Sequence, residues 1–247
     1  MIARVCVDDS SDEKQEVAIS VGAFVGQFGA WCDVKNRWTR RLKADGLDYF
    51  RATEYNGLHG QFFRFRDSVK YPKPLGSQAA RRLRDDLESI ILRSKLRGAA
   101  LVIPLDLYWD IRGSSKEAMQ IFTEDPFEIA IQSMIDECVQ DAIKERPGVR
   151  LEFICDKSSS APRIEATYRA YKEINPQANE IVASFEHRDD KLFAPLQVAD
   201  LMAHLGREVY MTKEVPKGIK ESVAWVKVWN EEMMLGVLEH EKKRRKL

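Results

Sequence analysis

The sequence predicts an α/β domain in which a mixed sheet of five strands is covered by helices. Three observations support this. Residues 2–8 and 16–26 are β-branched apolar runs joined by a short polar segment, the pattern of an antiparallel pair. From residue 98 onward, short apolar runs alternate with segments of helical period, as parallel strands alternate with crossover helices. With 247 residues, 44% hydrophobic and 32% charged, the chain can bury a sizeable core as one large domain.

The first strand, 2–8, runs straight into two adjacent carboxylates, Asp8 and Asp9. The second, "EVAISVGAFVG", returns beside it. In residues 30–45, Trp31, Val34, Trp38 and Leu42 share one helical stripe, and in 78–95 Leu83, Leu87, Ile90 and Ile91 do the same. Between them, 51–76 is the longest stretch without periodicity, and a loop of that length in a compact domain is usually functional or mobile. The third strand, 98–104, is closed by Pro104, and 105–125 shows no clear period. Pro126 opens a long helix with Phe127, Ile131, Met134, Ile135, Cys138 and Ala142 on one side. "VRLEFIC" (149–155) is the fourth strand. It is followed by a helix near 162–174, a strand at 180–186, a helix at 194–211 opened by Pro195, and a helix at about 219–243.

Residues 1–211 therefore read as the domain, with a loop insertion at about 51–76, and 212–247 as a helical extension with a basic tail. The pair Trp31 and Trp38 reads as core. Trp225 and Trp229, spaced i, i+4, read as packing a terminal helix onto the domain, a second copy or a protein partner.

Net charge points to no partner, because Lys plus Arg and Asp plus Glu both number 39. Cys6, Cys32, Cys138 and Cys155 form no close pair and sit in apolar runs, so they read as buried thiols of a reducing compartment. His59, His187, His204 and His240 lack metal-ligand spacing. The N-terminus has no basic, apolar leader, and no run reaches the roughly 18 apolar residues of a membrane span. The expectation is a cytoplasmic protein with no membrane partner.

Two further acids repeat the opening pattern. "FICDKSSS" drives the fourth strand into Asp156, and "PLQVADLMAH" sets Asp200 in a largely apolar helix. At 100° per residue, Gln197, Asp200, His204, Arg207 and Glu208 share a polar arc of about 100°. Each acid has a plain reading: strands end in Asp on reaching solvent, and a helix Asp marks a solvated face. If the first and fourth strands are neighbours, however, Asp8 and Asp156 meet at one sheet end and Asp200 can lean over them. The serines of "DKSSS" have no His or Lys arranged to activate them, which disfavours a serine hydrolase.

The 49–74 segment interleaves Tyr49, Phe50, Tyr55, Phe62, Phe63, Phe65 and Tyr71 with Arg51, Arg64, Arg66, Lys70 and Lys73. Aromatics stack on bases while Arg and Lys meet phosphates, so this is a candidate nucleic-acid surface. The competing reading is a lid whose aromatics pack on the core and whose charges are solvated. The basic run Lys242 to Lys246 divides the same way, between nucleic-acid contact and a frayed tail.

With these motifs the chain resembles the bacterial and phage family called domain of unknown function 3800. The matching text is "VDDSS", "VAISVGAFVG", "WCDVKNRW", "YFRATEYN", "FICDKS" and "LQVADLMAH", spread over residues 2–210. The last motif is the most specific. The resemblance implies a ribonuclease H-like fold and a metal-dependent nuclease. On that reading Asp8, Asp156 and Asp200 are ligands of Mg²⁺ or Mn²⁺, and Glu54 is a ligand or water-orienting base. Asp9 is a lesser candidate, because strand alternation turns it away from Asp8. Oxygen-only donors favour those cations over zinc, which asks for His or Cys. Three positions depart from the family pattern: Asp9 stands for Glu, Ser11 for Gly, and Arg51 for the His before "ATE". The alternatives are an inactive relative that binds nucleic acid or protein, and a divalent-metal phosphatase-like enzyme.

Overall fold

The computed structural model describes residues 1–11, 17–66, 74–145, 148–157, 161–214 and 224–245. Strands β1 (Ile2–Ser11) and β2 (Ala18–Gly26) form the expected antiparallel pair, with Val5 opposite Val25 and Asp8 opposite Gly22. β3 (Arg97–Pro104) adds antiparallel to β2. On the other side β4 (Arg150–Asp156) runs parallel to β1, and β5 (Val182–Arg188) runs parallel to β4.

A sixth strand, β6 (Ala224–Val228), pairs parallel with β3, so the order is β5-β4-β1-β2-β3-β6. This differs from the five expected, and the addition lies inside the stretch read as helix. Pairing explains the difference: β3 offers an open row of backbone groups, and "AWVKV" supplies partners for it. The i, i+4 spacing of Trp225 and Trp229 is therefore not a helix stripe. Trp229 follows the strand, donates its backbone N–H to the Val102 carbonyl at 2.9 Å, and is buried.

The helices are α1 (Phe28–Ala44), α2 (Ala52–Gly57), α3 (Leu75–Leu92), α4 (Leu105–Gly113), α5 (Lys116–Ile121) and α6 (Pro126–Glu145). They continue with α7 (Ala161–Ile174), α8 (Pro176–Ile181), α9 (Ala194–Thr212) and α10 (Glu231–Arg245). Strand alternation divides the core in two. Val5, Val7, Val21, Leu101 and Phe153 face a cluster completed by α4, α6, α7 and α10, which contributes Met234 and Leu238. Cys6, Phe24, Ala100 and Ile154 face the opposite cluster, built with α1, α3 and α9. None of the helices among the described residues is long and apolar enough to cross a membrane.

The aperiodic 51–76 segment holds α2 and a 3₁₀ turn, Gly60–Phe65. Phe50, just ahead of it, and Tyr55, Phe62 and Phe65 within it are buried. Phe50 meets Trp38, and Phe62 meets both Phe50 and Tyr55, edge to face with ring centroids 5.7–5.9 Å apart. These four rings pack a lid onto α1 and the sheet and are not free to stack on bases. Phe63 remains exposed.

Helix α9 crosses β1, β2 and β3, and its seat is unusually close. A Cβ at Gly22 would lie 2.3 Å from the Ala203 nitrogen and 2.6 Å from the Ala199 carbonyl oxygen, both backbone atoms of α9. Glycine on β2 lets the two backbones approach this far. Gly22→Ala is expected to cost about 1–3 kcal/mol through overpacking. At roughly 2–4 °C per kcal/mol, a thermal melt would drop by several degrees. An unchanged melting temperature would show that α9 has room to move.

Candidate functional site

Because β1, β4 and β5 are parallel, their carboxyl ends lie together, the usual place for ligand chemistry in an α/β sheet. Register places the acids. β1 and β4 pair up to Val7 and Cys155, so Asp8 and Asp156 come one residue later on neighbouring strands. Both share alternation with Cys6 and Ile154 and therefore face α9. Asp200, buried at 7% exposure, projects from α9 into the same region.

The charges of these acids act on one another. Asp8 is held well above the ordinary carboxylate pKa, first by burial and then by the charges of Asp200, Asp9 and Asp156. Burial also raises Asp200, to about 7, with Asp190 and Asp9 adding to the rise while the Ala52 amide and Arg51 oppose it. Asp156 is raised by burial and by Asp190, against the Asp190 amide and Arg51. Asp9 rises to about 6 through burial and the charges of Asp156 and Asp125. Strand alternation sets Asp9 on the face opposite Asp8, yet the largest charge acting on it is that of Asp156, with Asp125 second, and its own charge acts on Asp8 and Asp200. Its amide still donates to Asp8 Oδ1 at 2.8 Å.

The first three positions of the α9 polar strip, Gln197, Asp200 and His204, are buried, while Arg207 and Glu208 at its far end are partly exposed. Gln197, 2% exposed, accepts from Trp38 Nε1 at 2.9 Å and from the Phe50 amide at 3.0 Å, and its Nε2 donates to the Asp190 carbonyl at 2.8 Å. Asp200 Oδ2 accepts from the Ala52 amide at 2.7 Å. One turn on, His204 is buried against Asn56 Nδ2 at 3.3 Å, with its pKa lowered to about 4 by burial and Arg84, so it is neutral at pH 7. Helix α2 thus covers the face that periodicity reads as solvent.

Asp190, which sequence reasoning missed, joins the parts. Its amide donates to Asp156 Oδ1 at 3.3 Å, and its Oδ2 accepts from Arg51 Nε at 2.9 Å. The segment "FEHRDD" repeats the strand-then-acid pattern that picked out Asp8 and Asp156, and that was the available signal. Gln197, three residues before Asp200, was visible as a polar position but not as the group that holds Asp190.

Glu54 stands apart. Its carboxylate accepts from Tyr49 Oη at 2.8 Å and from the Gln61 amide at 3.2 Å, closing its own loop. Gly60 sits there with φ +56°, and a Cβ on it would strike Glu54 Oε2. Glu54 is not among the principal charges acting on Asp8, Asp9, Asp156 or Asp200. His187 lies on the face opposite Asp156, with Nδ1 3.1 Å from the Asp156 carbonyl oxygen. Of the basic residues, Arg51 turns into the acids, Arg64 donates to the Asp45 carbonyl and Arg66 is exposed. Lys70, Lys73 and Tyr71 lie outside the described residues, as do the "DKSSS" serines Ser158 to Ser160. In the basic tail, Lys242 pairs with Glu239 at 2.9 Å.

The described carboxylates do not already surround one point: among the described residues no group of three or more His, Cys, Asp or Glu is set to hold a metal ion. Their kind suits a hard cation. They are oxygen donors only, drawn together out of water, and Arg51 is the cation whose charge acts on both Asp156 and Asp200.

No family model matches the chain, and no curated protein does. Among solved structures it is similar to a chain of the PCNA:RNase HII complex from Archaeoglobus fulgidus, with 12% identity and a TM-score of 0.38. The match covers 99% of this chain and 90% of that one. A likeness at this level carries no argument about activity.

Raised carboxyl pKa values give a definite pH dependence. Between about pH 4 and pH 7 the metal-free native state holds a proton on Asp200 that the unfolded chain has lost, so this group makes stability fall as pH rises through that window. Asp200→Asn keeps an oxygen acceptor for the Ala52 amide and removes the charge. At pH 7.5 without metal it is expected to stabilise by on the order of 2 kcal/mol, about 4–8 °C in melting temperature. A lower melting temperature at that pH would mean that the charge is not under repulsion.

Proposed function

We propose that the protein is a Mg²⁺- or Mn²⁺-dependent nuclease that hydrolyses phosphodiester bonds of DNA or RNA. Asp8, Asp156 and Asp200 are the proposed ligands. The observation that carries this reading is three carboxyls from three separate elements, gathered at the carboxyl ends of parallel strands and raised in pKa by burial and shared charge. Two carboxylates about 4 Å apart repel by roughly 4 kcal/mol at an effective dielectric of 20. A stable fold that keeps such groups together is expected to have a use for a cation. The resemblance to the domain of unknown function 3800 family supports the same ligand set.

When bound, a divalent ion supplies charge stabilisation to the phosphoryl oxygens and acidifies water. Ligation asks the three side chains to turn toward one point, with Asp8 and Asp156 fixed at the backbone by strand pairing and Asp200 by the close seat of α9. Asp9 stands at the margin of the set, on the strand face opposite Asp8. Glu54 keeps its bonds to Tyr49 and Gln61 and orders the lid. Arg51, with its side chain 37% exposed, can reach both the acids and an incoming phosphate, and exposed Arg66 extends the positive surface.

The test is a melting-temperature series against Mn²⁺ or Mg²⁺, followed by incubation with labelled single- and double-stranded substrates. Metal is expected to raise the melting temperature by several degrees, and Asp156→Asn to abolish that response together with cleavage. An unchanged response in Asp156→Asn, or undiminished cleavage by Asp200→Asn, would contradict the assignment.

A further inference from the structure

The acids already face a cation of the protein's own. Arg51 Nε pairs with Asp190 Oδ2 at 2.9 Å, and Asp190, 5% exposed, gives its amide to Asp156. The residue following Arg51, Ala52, gives its amide to Asp200 at 2.7 Å. One dipeptide therefore ties Asp190, and through it Asp156, to the helix acid Asp200. The Arg51 Nη atoms make no hydrogen bond to a described residue, and its charge acts on Asp156 and Asp200 as well as on Asp190. Asp190 itself is fixed from behind by the Gln197 side chain, which Trp38 and Phe50 hold in place.

We infer that Arg51 is the resident counter-cation of this site and competes with the divalent ion for it. The inference rests on the proposed metal reading. In the metal-free protein the guanidinium offsets part of the acids' repulsion and keeps Asp190 in place against Asp156. When an ion enters, two positive charges face the same acids and repel each other. Arg51 then leaves Asp190 and swings outward, where its planar fork is free for a phosphate. Binding is thereby ordered: the cation first, the phosphate second. A histidine at this position could lose its charge on metal entry, whereas an arginine cannot and must move.

The experiment is calorimetric titration of Mn²⁺ into the wild-type chain, Arg51→Gln and Arg51→Lys without nucleic acid. Arg51→Gln is expected to bind Mn²⁺ about tenfold tighter, while its metal-free melting temperature falls. Arg51→Lys, which keeps the charge, is expected to stay within about threefold of wild type. Equal or weaker Mn²⁺ binding by Arg51→Gln, beside a wild type that binds, would overturn the competition alone. No heat from any of the three would overturn the metal reading and this inference with it. A second measurement reads the unaltered wild-type site. In the wild-type chain the Arg51 Nε–H resonance, assigned by its loss in Arg51→Lys, is expected to shift and lose protection as Mg²⁺ saturates the protein. A resonance that Mg²⁺ leaves unmoved would overturn the displacement.

Discussion

The close seat of α9 on β2 is the constraint on which the rest of the structure depends. Gly22 lies opposite Asp8 across the β1–β2 pair, and Ala199 and Ala203 flank Asp200 on the helix. Backbone contact at that point sets the height of the helix over the sheet. A side chain there would lift α9, and with it Asp200, away from Asp8. The same helix carries Gln197 and His204, so three buried polar groups share one register. Each is satisfied by a partner from the 49–56 segment, which is why that segment folds down as a lid.

Charge accounts for the rest. Burying one carboxylate is costly unless it is paired, and burying several near one another is more so. The fold meets this in graded ways. Glu54 is fully bonded within its loop, Asp190 has a guanidinium, and Asp200 has an amide. Asp8 has the weakest provision, the adjacent Asp9 amide, and its pKa is pushed far up. The group least compensated by the protein lies at the centre of the cluster, where an outside cation would gain most.

Much of this was legible in the sequence, and the exceptions have physical causes. Period-2 apolar runs that stop at an acid marked β1 and β4, and parallel pairing then brought Asp8 and Asp156 to one end. Asp200 was visible because an acid in a helix apolar on its other faces needs a reason. The cover over that helix was not visible, because α2 docks through single hydrogen bonds between residues about 150 apart, which no local period records. Asp190 was hidden by its surroundings in "RDDK", where charged neighbours make any one acid look solvated. Strand β6 was hidden because its apolar spacing fits a helix as well as a strand. The open edge of β3 decides the matter, and that edge exists only once the sheet has formed.

The most direct measurement is a crystal structure with Mn²⁺, read by anomalous difference density. The account predicts a peak bounded by oxygens of Asp8, Asp156 and Asp200, at distances of about 2.0–2.2 Å. A saturating Mn²⁺ concentration that leaves this sheet end without a peak, with the carboxylates still turned apart, would contradict it.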